Sequence, residues 1–314
     1  MRKIPRVHKL YNIQELFKYY SYLPFISRNK SQAAGTNRIG GTYTETDKDM
    51  LHRLNNELIK HKELIIAFSG GVDSAFLASV ALKLKEVKVT GILLDTPLMK
   101  RSEKESALRV AEEIGLNLVV IAFNPAHIEG INTNSRERCY ICKKAMIDKI
   151  KEYIAEKGLT DVAIADGLNY SDIGEYRPGI RASNENSLIH PLVDAEFKKE
   201  DIRRISRAMG LSFADKPSSP CLATRFPYDT LITIKNLRMV EEAEDCLNGL
   251  GLEDCRVRLH KNIARIEAEP EYINLIIEKR EEIVERFKEI GFIYVCLDLQ
   301  GYRTGSMEEE VNIQ

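Results

Sequence analysis

The segment Ser69-Gly70-Gly71-Val72-Asp73-Ser74 carries the clearest chemistry in this 314-residue chain. Gly70 and Gly71 let the backbone approach an anion closely. Ser69 and Ser74 add hydroxyl donors, and Asp73 is an oxygen ligand suited to Mg²⁺ bridging two phosphates. Such a loop grips phosphate when a strand leads in and a helix leads out, because the helix N-terminus offers unpaired amides and partial positive charge. Both neighbours are predicted here: an apolar run at Leu64–Phe68 reads as a buried parallel strand, and Asp73–Leu84 reads as a helix. The loop lacks the lysine and the longer spacing of G-x-x-x-x-G-K-[ST], so it is not that P-loop.

Sulfur chemistry is the second possibility. Cys139 and Cys142 form a C-x-x-C pair flanked by Arg138, Lys143 and Lys144, and Cys221 lies in Ser219-Pro220-Cys221-Leu222-Ala223-Thr224-Arg225. C-x-x-C suits metal ligation or redox work, and basic neighbours favour thiolate over thiol; buried structural cysteines are the plainer alternative. Cys246, Cys255 and Cys296 sit in apolar periodic segments and read as structural. Anion binding falls to arginines. Arg256 and Arg258 share one face of a predicted strand, Arg177 and Arg181 lie in a polar loop, and Arg225 follows the Cys221 segment; surface pairing with acidic neighbours is the alternative for the first four. Glu244 reads as part of a solvated helix face, and the lone His190 and His260 are given no catalytic role.

The elements that must position these residues alternate. After Leu64–Phe68 and Asp73–Leu84 come a strand at Val87–Leu94, a helix at Ser102–Ile114, and strands at Leu118–Phe123 and Val162–Ala165 around a helix at Cys142–Glu156. Ser102 with Glu105 has the form of a capping box, and Gly115 that of a helix stop. Asn169–Asn186 reads as an active-site loop and Lys198–Met209 as a helix. Repeated strand–helix units predict an α/β fold with a doubly wound parallel sheet. From Tyr228 the pattern changes: a helix to about Leu250, strands at Cys255–His260 and Ala264–Ala268, a helix at Glu271–Ile290 and a strand at Ile293–Leu299. The expected organisation is a basic, poorly ordered extension over 1–49, a nucleotide-binding domain over 50–227, a small α+β domain for substrate binding or oligomerisation over 228–307, and a tail over 308–314.

The hexapeptide resembles the signature of the pyrophosphatase-loop (PP-loop) adenylylating enzymes, a Rossmann-like superfamily. That resemblance implies ATP as a cofactor, cleavage between its α and β phosphates, and a second nucleotide contact at Asp95-Thr96. Further segments resemble the LarE-type ATP-dependent sulfur transferases: Asp166–Asp172, Glu175–Gly179, Pro220–Pro227, Arg256–His260 and Gly301–Gly305, over roughly residues 50–307. This implies a small-molecule nucleotide substrate, a pyridinium dicarboxylate mononucleotide. Its carboxylates are adenylylated and converted to thiocarboxylates, with Asp73, Cys221 and Arg225 in the catalytic set. In one branch a lone cysteine surrenders its sulfur. In another, three cysteines hold a [4Fe–4S] cluster with one iron left open, and Cys139, Cys142 and Cys221 make three. The resemblance also implies a homo-oligomer and leaves the ultimate sulfur donor unidentified.

Composition narrows the field. A net charge of −1 gives no strong pull toward nucleic acid or anionic membrane. No apolar run approaches the ~20 residues of a membrane span and no signal-peptide pattern opens the chain, so a cytoplasmic protein is expected. Two competing readings are a tRNA-thiolating enzyme, which would need a basic docking surface, and a non-catalytic nucleotide- or metal-sensing module.

Overall fold

The computed structural model describes residues 43–174, 178–303 and 306–307, which divide into two compact units. Of these residues, the first unit takes in those up to Asp95, Arg101–Phe123 and Lys143–Ser219; the second takes in Thr96–Lys100, Asn124–Cys142 and the described residues from Pro220 on.

The first unit is a four-stranded parallel sheet flanked by helices, the α/β class the alternating pattern predicts. Strands β1 (Glu63–Ala67), β2 (Lys88–Asp95), β3 (Leu118–Ala122) and β4 (Val162–Ala165) lie in the order β3-β2-β1-β4. The order reverses between β1 and β4, so the crevice beyond their carboxyl ends is a topological switch point, where open α/β sheets bind ligands. Leu64, Ile65 and Ile66 are fully buried, as expected of a strand covered on both faces.

Helix α1 (Glu45–Leu58) opens the described chain. It begins four residues before the boundary expected for the extension and is not signalled by the strand–helix alternation. Thr44 and Asp47 form a capping box, and Met50, Leu54 and Leu58 repeat every four residues to make its buried stripe. Helices α2 (Val72–Ala81) and α3 (Arg101–Ile114) follow β1 and β2. Because α3 starts at Arg101, Ser102 lies inside the helix and is not its cap. Gly115 does end it, at φ +70°. Helix α4 (Arg138–Glu156) starts four residues earlier than expected, which puts the C-x-x-C pair within its first five residues.

The stretch expected to be one loop, 169–186, instead contains a 3₁₀ turn (Tyr170–Asp172) and helix α5 (Pro178–Glu185), with proline at the first helical position. Helices α6 (Pro191–Asp194) and α7 (Lys199–Ala208) complete the unit.

The second unit pairs helices with a three-stranded sheet, β5 (Arg256–His260), β6 (Ile263–Glu267) and β7 (Tyr294–Leu297), in the order β5-β6-β7. Helix α8 (Ile234–Gly249) is capped by Thr233, whose hydroxyl accepts from the Asn236 amide. The expected helix over 271–290 is broken into a 3₁₀ turn, α9 (Ile273–Glu278) and α10 (Arg280–Ile290). Leu237, Val240, Ala243, Leu247, Val257, Ile266 and Phe287 form the core of this unit.

Candidate functional site

In the first unit, β1 ends at Ala67 and α2 begins at Val72, so the glycine loop occupies the strand-to-helix turn. Gly70 has φ +71°, and a Cβ there would meet the Ala107 Cα at 2.4 Å. Only glycine satisfies both the left-handed backbone and the close approach of α3. Ser74 Oγ closes the loop, accepting from the Ser69 amide at 3.3 Å and donating to the Gly71 carbonyl at 3.2 Å. Gly71 is the N-cap and supplies no side chain to the first-turn amides, which leaves that end of α2 suited to an anion.

Asp73 is the chemically distinctive residue. Its Oδ2 accepts from Asn169 Nδ2 at 3.3 Å, while its Oδ1 is buried and has no hydrogen-bond partner among the described residues. Burial pushes this carboxyl up, Lys199 and Arg203 pull it down, and Asp172 adds to the upward push. An orphaned carboxylate oxygen at a phosphate-binding turn is what a hard divalent cation would satisfy, so the residues fit Mg²⁺. The loop after β4 lies directly on this turn: a Cβ on Gly167 would stand 2.7 Å from the Ser74 amide nitrogen. Asp166 anchors that loop, accepting from His190 Nδ1 at 2.8 Å, Lys143 Nζ at 2.9 Å and Ser183 Oγ at 3.1 Å. Burial works against its charge, but His190 and Lys143 hold it well below the usual carboxylate range.

Lys216 escaped the sequence reading because it lies 146 residues from the loop it touches. Its Nζ donates to the Gly70 carbonyl at 3.2 Å and to Ser106 Oγ at 2.9 Å, and pairs with Glu103 at 2.8 Å. Asp95, at the end of β2, is bridged by Arg101 Nη1 and Lys104 Nζ, each at 2.6 Å. The two cations hold it below the ordinary range despite burial. Thr96 is buried. Arg181 lies half-exposed on α5, 3.8 Å from Glu185. Arg177 falls outside the described residues.

All three candidate cysteines belong to the second unit. Cys139 and Cys221 are exposed and Cys142 is half-buried. Arg138 Nη2 lies 3.6 Å from Cys139 Sγ. Burial disfavours the Arg138 charge, but the fields of Cys221 and then Cys139 more than restore it. Among the described residues no three His, Cys, Asp or Glu side chains converge on a single metal-ion position. A cluster distributes its ligands over different irons, and thiols are donors of the right chemistry for one. Of the remaining cysteines, burial pushes Cys255 up to about 11, an inert structural thiol. Cys246 is half-buried, and Cys296 is exposed on β7 rather than buried as expected.

Arg225 is fully buried, and each of its nitrogens is engaged. Nε and Nη2 meet Glu244 at 2.9 and 3.1 Å, and Nη1 donates to the Pro220 carbonyl at 3.1 Å and to Thr224 Oγ1 at 2.8 Å. Glu244 is 1% exposed, not on a solvated face. It also pairs with Lys100 and accepts from the Val257 amide at 3.0 Å. Burial would raise this carboxyl, but Arg225 and Lys100 hold it down at about 2. Arg258 is likewise committed, to Glu267 at 2.7 Å and the Thr224 carbonyl at 2.9 Å. Arg256 differs: its Nε is buried without a partner, and its guanidinium stacks 5.2 Å from the Tyr302 ring centroid. Its Nη1 donates to the Cys255 carbonyl at 3.1 Å, so among the described residues only part of this guanidinium is left uncommitted.

The model of the PP-loop domain family matches residues 43–169. An uncharacterized protein of Synechocystis is 37% identical over 245 residues, covering 77% of this chain and 91% of its own. An uncharacterized protein of Methanocaldococcus jannaschii is 37% identical over 259 residues, 82% of this chain and 98% of its own. Pyridinium-3,5-bisthiocarboxylic acid mononucleotide synthase of Lactiplantibacillus plantarum is 32% identical over 249 residues, 79% of this chain and 90% of its own. Among the described residues no helix is long and apolar enough to cross a membrane.

Proposed function

The chain belongs to the LarE family of PP-loop, ATP-dependent sulfurtransferases, and from that premise we propose that it converts the carboxylates of a pyridinium dicarboxylate mononucleotide to thiocarboxylates. The observation that carries the reading is the β1–α2 turn, with its uncapped amides and the orphaned Oδ1 of Asp73.

A carboxylate is a poor electrophile, so it must first gain a leaving group. A substrate carboxylate oxygen attacks the α-phosphorus of ATP, the bond to the bridging oxygen breaks, and pyrophosphate departs. The first-turn amides of α2 and the Ser69 and Ser74 hydroxyls bind the polyphosphate. Asp73 would hold Mg²⁺, which would supply charge to the departing phosphates. Lys216, committed to the Gly70 carbonyl, Ser106 and Glu103, braces the loop against α3. A sulfur nucleophile then attacks the acyl carbon and AMP leaves. Arg256, with its spare donor, binds the substrate's phosphate or carboxylate, while Arg225 and Arg258 hold the Cys221 turn through backbone carbonyls.

For the sulfur, Cys139, Cys142 and Cys221 would together hold a [4Fe–4S] cluster, which when bound would supply the sulfur atom. The rival source is Cys221 itself. Its thiolate would form a thioester, and loss of the Cα proton with cleavage of Cβ–S would leave dehydroalanine. Anaerobic purification with iron and sulfide analysis, followed by intact mass after turnover, separates the two. About four irons per chain and an unchanged mass support the cluster. An iron-free active enzyme that loses the Cys221 thiol overturns it.

A further inference from the structure

We propose that Asn134 and Arg138 form a buried clasp whose task is to hold the Cys221 turn in register with the Cys139/Cys142 end of α4. Asn134 is 0% exposed and adopts φ +54°, the left-handed region that a non-glycine residue enters at a steric cost. Such strain persists where surrounding contacts over-determine it, and here they do. Its Nδ2 donates to the carbonyls of Phe226 at 2.9 Å and Pro227 at 2.7 Å, and its Oδ1 accepts from Arg138 Nη1. Its own carbonyl accepts from the Asp229 amide at 3.2 Å.

One asparagine side chain thus ties the segment leaving the Cys221 turn to the helix that starts with the cysteine pair. Arg138 completes the clasp. The same Nη1 donates to the Ala223 carbonyl at 3.2 Å, two residues past Cys221, while Nη2 approaches Cys139 Sγ. The guanidinium also lies 5.9 Å from the Tyr228 ring centroid. The planar fork reaches both cysteine segments at once, which a lysine's single ammonium cannot do.

Leu222, Ala223 and Phe226 also pack into the core of the unit, and the clasp adds polar ties to the backbone of that same turn. They join residues 85 to 93 positions apart in the chain, and both segments carry exposed thiols. The inference rests on the reading that these cysteines act together in sulfur transfer, and it assigns Asn134 and Arg138 as positioning residues that touch neither nucleotide nor substrate.

The test uses full-length, anaerobically purified protein and three variants, Asn134→Gly, Arg138→Lys and Arg138→Gln, freed of iron for the cross-linking and kept as purified for turnover. Glycine tolerates the left-handed backbone, so Asn134→Gly removes the side chain without adding strain. The probe is a short bifunctional thiol reagent, with the Cys139–Cys221 cross-link quantified by peptide mass spectrometry. The expected result is a fall of about tenfold in cross-link yield for Asn134→Gly and Arg138→Gln, with Arg138→Lys between them and wild type. Thiocarboxylate formed per pyrophosphate released should fall in the same order, while pyrophosphate release itself holds. An unchanged cross-link yield, or a reduced yield with an unchanged product ratio, overturns the clasp. A parallel loss of pyrophosphate release and melting temperature in all three variants also overturns it, as the signature of general unfolding. If wild type released no pyrophosphate at all, the functional reading would fail while the cross-link still reported on the clasp.

Discussion

At the scale of single residues, function is concentrated where polar groups are buried at a cost. Asp73 is the clearest case. Its carboxyl is pushed up by burial and has one oxygen without a partner, so its ionised form opposes folding when no cation is bound. The sign follows from linkage: a carboxyl raised in the folded state binds its proton more tightly there, so ionising it above the ordinary carboxylate range lowers stability. Asp73→Asn should therefore leave the melting temperature of nucleotide-free protein at pH 7 unchanged or higher while cutting pyrophosphate release by ~100-fold or more. A variant that melts earlier and keeps its activity would assign Asp73 to structure.

Glu244 has the opposite sign. Its carboxyl is held at about 2 against an ordinary 4.5, so its pairing with Arg225 and Lys100 stabilises the fold above the ordinary value and is lost as pH falls toward 2. Glu244→Gln leaves two buried cations without their counter-charge, a loss of about 3–5 kcal/mol at pH 7. Thermal or urea melts should show that gap narrowing between pH 4.5 and 2; a gap that stays constant over this range would contradict the assignment.

At the scale of elements, what matters is how closely the turns approach one another. The loop after β4 packs on the phosphate turn so tightly that a methyl group on Gly167 would sit 2.7 Å from a backbone nitrogen. Because the obstacle is backbone, it cannot be relieved by a rotamer change. Gly167→Ala should weaken ATP binding by about tenfold or more in calorimetry, since it moves the α2 N-terminus, and ATP affinity equal to wild type would show that the turn tolerates the shift.

The same scale explains what the sequence could and could not reveal. The β1–loop–α2 unit was legible because a buried strand, two glycines and a helix are contiguous, and the structure places the strand and the helix start within one residue and the helix end three residues earlier. Helix α1 was not, because its apolar stripe of Met50, Leu54 and Leu58 lies among polar residues next to a basic segment. The pairing of Arg225 with Glu244 was hidden because the residues meet across a turn and a helix. Glu244 read as surface for that reason, since an acidic side chain on a helix gives no local sign of a buried partner. Lys216 and Asn134 were silent for the same reason: each acts through contacts more than ninety residues away in sequence.

At the scale of the whole molecule, the chain divides its work between two compact units. The unit with the four-stranded sheet carries every residue assigned to the polyphosphate, and the other carries every cysteine assigned to sulfur together with Arg225, Arg256 and Arg258. The two half-reactions should therefore separate by mutation. Cys221→Ala should abolish thiocarboxylate formation and leave substrate-dependent pyrophosphate release within about threefold of wild type at the first turnover, as read by rapid quench. A Cys221→Ala enzyme that still makes thiocarboxylate would remove this residue from sulfur transfer.

The most direct test of the central claim is a single-turnover reaction with ATP labelled in the α-phosphate and a pyridinium dicarboxylate mononucleotide, run with anaerobically purified protein. Labelled AMP should appear one-for-one with thiocarboxylate, with unlabelled pyrophosphate released and no turnover when the carboxylate substrate is omitted. Labelled ADP with free phosphate, or nucleotide cleavage indifferent to the carboxylate, would contradict it.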